Sequence, residues 1–172
     1  MPNYPIRPAT VDDLPFLQEI ERAAGLLFAE LGMTLVATDE PLALAELERY
    51  QAGGRAWVAV DTDDSAVAYL IVDIVGGGTH IEQVSVDPRH AHQGIGLALI
   101  EYVAEWSVQR GISRLTLTTF LDVPWNAPYY RRCGFQLVPE REVTAGLREI
   151  RRHEAEHGLD RWPRGVMRRE LG

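Results

Sequence analysis

The run Val84-Ser85-Val86-Asp87-Pro88-Arg89-His90-Ala91-His92-Gln93-Gly94-Ile95-Gly96 constrains the fold of this chain more than any other stretch. A β-branched segment stops at Asp87-Pro88, and a glycine-spaced turn leads directly into a long apolar-periodic helix. Gly94 and Gly96 lack a Cβ, so backbone there can approach a ligand closely and present successive amide N–H groups. A helix start leaves its first four donors without intrahelical partners, and the macrodipole favours negative charge at that end. Strand, glycine turn and helix in that order make a phosphate-binding corner. A dinucleotide-binding Gly-x-Gly-x-x-Gly turn needs a third glycine where this chain has Leu99, and a Walker loop needs a lysine, which the chain lacks entirely.

The rest of the pattern surrounds that corner with mixed α and β elements. Residues 4–7 read as a first strand. Thr10-x-x-Asp13 is a helix-start box, followed by a stripe of Leu14, Leu17, Ile20, Ala24, Leu27 and Leu31 that breaks near Gly32. A second helix begins near Pro41 and stops at Gly53-Gly54. Residues 57–60 and 66–75 form a hairpin around Asp61-Thr62-Asp63-Asp64, and Gly76-Gly77-Gly78 turns the chain into a strand over 80–86. A helix over 94–110 carries Ile95, Leu99, Val103 and Trp106 on one stripe. A strand over 115–120 follows, then a short helix capped by Asn126 and closed by Gly134. A strand over 135–138, a charged helix over 144–157 and a final strand over 165–171 complete the chain. This order predicts an α/β fold with a mixed central sheet and helices on both faces.

Bulk properties fit a single domain over residues 1–172. At 172 residues, with 46% hydrophobic and 24% charged side chains, the chain can bury a full core. No apolar run approaches the roughly 20 residues that span a bilayer, and the opening residues show no basic-then-apolar pattern. With one cysteine, Cys133, no intrachain disulfide forms. The expectation is a cytoplasmic protein that is not held at a membrane. A net charge of −8 disfavours nucleic acid as a partner.

Two signatures carry a resemblance to a known family. Gln93-Gly94-Ile95-Gly96, after a Val-x-Val-Asp-Pro strand end, resembles the acyl-coenzyme A pyrophosphate loop of the GNAT N-acetyltransferase superfamily, which reads Gln/Arg-x-x-Gly-x-Gly/Ala. Trp125-Asn126-Ala127-Pro128-Tyr129-Tyr130-Arg131-Arg132-Cys133-Gly134-Phe135 is similar to the end of that family's fourth helix, Tyr-x-x-x-Gly-Phe, with Tyr130 on the Tyr. The opening Ile6-Arg7-Pro8-Ala9-Thr10 is also typical of family N-termini. The resemblance covers about residues 4–140, leaving 141–172 as a C-terminal helix and last strand. One departure stands at Ala91, which occupies the first Gln/Arg position of the loop and removes one side-chain contact to the pyrophosphate.

The resemblance implies a sheet that splays where the donor substrate, acetyl-coenzyme A, enters, with no metal. It implies a pyrophosphate on the amides of His92, Gln93, Gly94, Ile95 and Gly96, and backbone contacts from Val84 and Val86 to the pantetheine arm. It gives Tyr130 the role of general acid toward the departing thiolate, a phenol of pKa about 10 being a suitable donor. Asn126 is a helix cap with a second role available in a hydrogen bond to that arm. The acceptor is an amine, on a small molecule or a peptide. Many relatives are dimers, so a homodimer agrees with the resemblance, though no residue pattern fixes it.

Strand alternation puts Glu82 on the face of Val84 and Val86. A carboxylate there is the favoured general base for an ammonium of pKa near ~10. His80, one step further out, is the rival base because an ordinary imidazole pKa near ~6.5 suits the task; its other reading is a solvated turn histidine. Cys133 reads as a core residue. His153-Glu154-Ala155-Glu156-His157 matches His-Glu-x-x-His, a zinc-protease pattern that puts both imidazoles on one helical face. Arg151-Arg152 and Glu156 around it instead suggest a solvated, ion-paired helix end. Three functions follow: an N-acyltransferase working by direct transfer in a ternary complex, a non-catalytic acyl-coenzyme A sensor on the same fold, and a zinc hydrolase.

Overall fold

A computed structural model describes residues 4–172. Its strands are β1 (Ile6–Pro8), β2 (Ala56–Val60), β3 (Ala66–Val75), β4 (Gly78–Val86), β5 (Arg114–Phe120), β6 (Gln136–Leu137) and β7 (Arg164–Glu170). Its helices are α1 (Leu14–Gly25), α2 (Thr34–Ala37), α3 (Leu44–Ala52), α4 (Ile95–Gln109), α5 (Ala127–Arg132) and α6 (Ala145–Glu156). The strands hydrogen-bond in the order β1-β2-β3-β4-β5-β7-β6. The sheet is mixed, as expected: β4 and β5 run parallel, whereas the β1–β2, β2–β3, β5–β7 and β6–β7 pairs are antiparallel.

The chain divides into two compact units. The first takes residues up to Val72 together with Gln83–Val103. Its core joins Leu14, Leu17 and Ile20 of α1 and Leu47 and Tyr50 of α3 to Val58 and Val60 of β2 and Tyr69 and Ile71 of β3. These helical positions recur every three residues and the strand positions every two, so each element contributes one face. Every residue of β2 is buried, which explains why Ala56–Val60 is apolar throughout rather than alternating. The start box is present: Asp13 accepts from the N–H and hydroxyl of Thr10 at 2.7 and 3.1 Å, and Arg7 bonds the same carboxylate at 2.7 Å.

The stripe through Leu31 does not continue as one helix. Helix α1 ends at Gly25, a 3-10 segment covers Leu26–Leu31, and Gly32 turns with φ 74°. Leu31 is exposed. The short helix α2, whose N-cap Met33 and last residue Ala37 are buried, has no counterpart in the sequence periodicity. Gln18 Nε2 donates to the carbonyl of Leu42 at 2.9 Å, and the N–H of Leu42 donates to Glu21 at 3.2 Å; both bonds tie α1 to the entry of α3.

The second unit takes Asp73–Glu82 and Ala104–Gly172. Strands β5 and β7 pair along their whole length, from Arg114–Glu170 to Phe120–Arg164. Strand β4 pairs with β5 only at Thr79–Leu115 and His80–Thr116, a ladder two residue pairs long in a strand of nine residues. A smaller core packs Val143 and Leu147 against Val138 and Val166. Gly146 is required here, because a Cβ would lie 2.7 Å from Cγ1 of Val75. Cys133 is buried, in keeping with a core role. No helix among the described residues is long and apolar enough to cross a membrane.

Candidate active site

In the first unit, β4 delivers the backbone of Val84 and Val86, both half-buried, with Ser85 buried between them as pleat alternation requires. Asp87 then accepts from the backbone N–H of Arg89 at 2.9 Å and from its guanidinium at 2.8 Å, which caps a 3-10 turn over Pro88–His90. The Arg89 contacts hold the Asp87 carboxyl below the usual carboxylate range. His92 and Gly94 both take the left-handed conformation, with φ 63° and 76°. The carbonyl of Gly94 accepts from Ala98 N–H at 3.0 Å, so Gly94 is the residue before the first turn of α4. The N–H groups of Ile95, Gly96 and Leu97 therefore fall where no preceding helical carbonyl can serve them.

Sequence reasoning missed what steadies this turn. The Tyr4 hydroxyl donates to Oε1 of Gln93 at 3.0 Å and meets Nδ1 of His90 at 3.1 Å, with the two rings edge to face at 5.6 Å. Nothing in the spacing of residues 4, 90 and 93 signals that contact. Exposed Gln93 thus has its carbonyl oxygen committed, and its amide N–H groups are the part left to meet an anion.

The second unit holds the expected proton-transfer residues. His80 and Glu82 lie on one face of β4, with Nε2 and Oε2 4.0 Å apart. Glu82 is exposed. His80 is not the solvated turn histidine that its neighbouring glycines suggested: it is 1% exposed and its Nδ1 is 2.9 Å from Oγ1 of Thr116. The strand begins at Gly78 rather than after it, so His80 is an interior residue of β4 facing β5. Burial pushes its imidazole down to about 4, against the opposing pull of Asp73 and Glu154. Next to it, Thr79 and Ser107 share a buried hydroxyl–hydroxyl bond of 2.7 Å.

Tyr130 projects from α5, its ring edge-on to Tyr129 at 5.4 Å and to Phe135 at 6.0 Å. Burial, with Tyr129 and Cys133 adding to it, pushes the phenol above its ordinary value, so it is protonated at neutral pH and has a proton to give. Asn126 precedes α5, but its side chain makes no cap. Its Oδ1 accepts from Phe120 N–H at 3.4 Å instead, while its backbone carbonyl takes Tyr130 N–H at 2.9 Å. The strand-to-helix connection is short enough for Asn126 to fold back on β5, which corrects the expected capping role.

The His-Glu-x-x-His segment lies on α6. The two rings lie tilted at 49° with their centroids 4.3 Å apart, and Nδ1 of His157 is 2.8 Å from the carbonyl oxygen of His153. Glu154 is turned away into a partly buried network: it accepts from Thr118 at 2.5 Å, Arg151 at 2.9 Å and Arg164 at 3.1 Å. Burial alone would raise its carboxyl, but Arg164, Thr118 and Arg151 together hold it below the usual range. The register explains the cluster, since Phe120 faces Arg164 across the β5–β7 ladder and the guanidinium covers that ring at 4.3 Å. Among the described residues no three His, Cys, Asp or Glu side chains converge as a metal site would require.

With the turn and its neighbours described, comparison with known proteins places the chain. The model of the acetyltransferase (GNAT) family matches residues 18–135, and the chain belongs to that family. Its fold is shared with Rv2747 of Mycobacterium tuberculosis in complex with CoA, at 20% identity, with 98% of this chain and 99% of that one covered and a TM-score of 0.71. It is also shared with the PaiA N-acetyltransferase of Thermoplasma acidophilum in complex with coenzyme A, at 19% identity, 98% and 99% coverage and a TM-score of 0.68. N-acetylglutamate synthase of Neisseria gonorrhoeae, complexed with coenzyme A and N-acetyl-glutamate, matches at 17% identity and a TM-score of 0.68. There 98% of this chain spans 35% of the larger protein. The family assigns acyl transfer as the general chemistry.

Proposed function

We propose that the protein is an N-acetyltransferase that moves the acetyl group of acetyl-coenzyme A directly to a primary amine. The observation that carries this reading is the start of α4, where Gly94 at φ 76° turns the backbone so that the next amides open the helix. Preorganised N–H groups at a helix N-terminus favour a pyrophosphate without help from a particular side chain, so Ala91 in the usual Gln/Arg position is tolerated. A Cβ built on Gly94 meets nothing within 4 Å, which leaves room above the turn for such an anion.

The ammonium gives one proton to Glu82, directly or through water; the freed nitrogen then forms the amide bond to the acetyl carbon as the carbon–sulfur bond breaks, and the second proton it sheds replaces the one that Tyr130 gives up. Tyr130 supplies a proton to the departing thiolate. Backbone groups of Val84 and Val86 hold the pantetheine arm, and Asn126 adds a hydrogen bond to it. No covalent acyl-enzyme is needed, and Cys133, being buried, has no part.

Calorimetric titration with acetyl-coenzyme A, in the presence of EDTA, tests the reading. Micromolar binding that is lost in Gly94→Glu, where both the left-handed backbone and the added carboxylate oppose the pyrophosphate, is the expected result. Absence of binding to the wild type removes the donor assignment. Binding without acetylation across a broad amine panel favours a sensor instead.

A further inference from the structure

We propose that His80 is a positioning residue for Glu82, its imidazole locked by the hydroxyl of Thr116 so that Nε2–H faces the carboxylate. This rests on the reading of Glu82 as the base. The geometry begins in the backbone. His80 and Thr116 are Cα partners in the parallel β4–β5 ladder, so their side chains emerge side by side. They are 1% and 2% exposed, and the Nδ1–Oγ1 distance is 2.9 Å. A buried imidazole is costly unless hydrogen-bonded, and this bond fixes the ring plane.

The remaining nitrogen, Nε2, lies 4.0 Å from Oε2 of Glu82, close enough for electrostatic contact though longer than a direct hydrogen bond, with one side chain buried and the other 38% exposed. That contrast separates two roles. The exposed carboxylate can reach a substrate, while the buried ring can reach the carboxylate. The ring is neutral at physiological pH, since burial depresses its pKa to about 4. It therefore carries one proton, which must lie on Nδ1 or Nε2. A lone pair on Nε2 would face the acceptor-only carboxylate and repel it; a proton there attracts it. Nδ1 is then an acceptor, which the Thr116 hydroxyl satisfies, so both ends of the ring agree on one tautomer.

The charged groups around the ring are Glu82 on its own strand, Asp73 on β3 and Glu154 on α6. All three are acids and would favour an imidazolium, yet burial wins. The consequence is useful for a base. A charged imidazolium beside Glu82 would hold the carboxylate in an ion pair and weaken it as a proton acceptor. A neutral N–H dipole orients the carboxylate while leaving its basicity nearly intact.

Nitrogen-15 NMR of labelled histidine, with carbon-13 titration of glutamate carboxyls, tests the assignment, the Glu82 signal being identified by its loss in Glu82→Gln. The Nε2–H tautomer is expected in the wild type. The Glu82 midpoint should rise by about half a pH unit in His80→Asn, whose amide reaches only toward Thr116. His80→Gln, whose amide nitrogen can stand where Nε2 was, should restore it. Thr116→Val keeps the side-chain shape and should mix the tautomers, which covers the case of an unfolded His80 variant. An Nδ1–H wild type, or a Glu82 midpoint indifferent to His80→Asn, overturns the proposal. Acetyl transfer to an amine panel separates the two levels. Full turnover in Glu82→Gln alongside an intact midpoint shift removes the base reading and leaves the coupling standing. A greater loss in His80→Asn than in Glu82→Gln makes His80 itself the base and overturns its positioning role.

Discussion

The phenol oxygen of Tyr4 lies 3.0 Å from Oε1 of Gln93 and donates to it, joining the start of the chain to the turn that opens α4. Because a hydroxyl has one proton to give, the contact with His90 at 3.1 Å must be donated by Nδ1–H. Gln93 is thereby fixed through its oxygen, and the turn is held from outside its own sequence.

Tyr4→Phe removes both bonds and keeps the ring contact with His90. A hydrogen bond of this kind contributes about 1 kcal/mol net, so acetyl-coenzyme A affinity should fall roughly 3- to 10-fold. Calorimetry on the variant checks this, and an unchanged affinity would show that the turn needs no tether.

Gly94→Ala isolates backbone conformation from space. Its Cβ would meet nothing within 4 Å, yet φ is 76°. The left-handed state costs an L-residue about 1–2 kcal/mol. Donor affinity should drop about tenfold while the melting temperature falls by only a few degrees. Gly146→Ala supplies the contrast, since φ there is ordinary and the obstacle is the stiff Val75 side chain. It should lower stability with donor affinity unaltered.

Much of this architecture is legible in local pattern. The β2–β3 hairpin and α4 fall within a residue of where alternation and the 3.6-residue period put them, because long amphipathic or apolar segments have few alternatives. The turn at Gly94 is legible for the same local reason: two glycines between a strand and a helix leave the backbone little choice. His80 is not, because its burial depends on β5, whose partner residue Thr116 is far along the chain. Tyr4 contacting Gln93, and Asn126 folding back on Phe120, are likewise products of tertiary packing that no spacing rule encodes. At Glu154 the neighbouring Arg151-Arg152 and Glu156 already suggest an ion-paired helix end, but Arg164 is brought to its carboxylate by the β5–β7 register, which local spacing does not encode.

The buried imidazole of His80 leaves a mark on stability against pH. In the unfolded chain it takes up a proton near 6.5, whereas in the folded protein it does so only at about 4. Between those values the unfolded state binds more protons, so stability falls as pH falls through that window. The full displacement corresponds to on the order of 3 kcal/mol. His80→Asn should flatten the dependence of melting temperature on pH between 6.5 and 4, whatever its effect on the overall level. A slope equal to that of the wild type would mean that the ring titrates normally.

Tyr130→Phe tests the proton donor while sparing the packing around it. The ring contacts with Tyr129 and Phe135 need no hydroxyl, so the variant should fold and bind acetyl-coenzyme A as the wild type does. General-acid assistance is ordinarily worth 10²-fold or more, and kcat should fall by about that factor with the donor Kd unchanged. The thiol released can be followed directly with any amine that the acceptor screen identifies. Because burial holds the phenol above its ordinary value, the wild type should show no alkaline limb from this group below about pH 10. A loss in kcat smaller than about threefold would remove Tyr130 from the chemistry, since a donor of that small weight is replaceable by water.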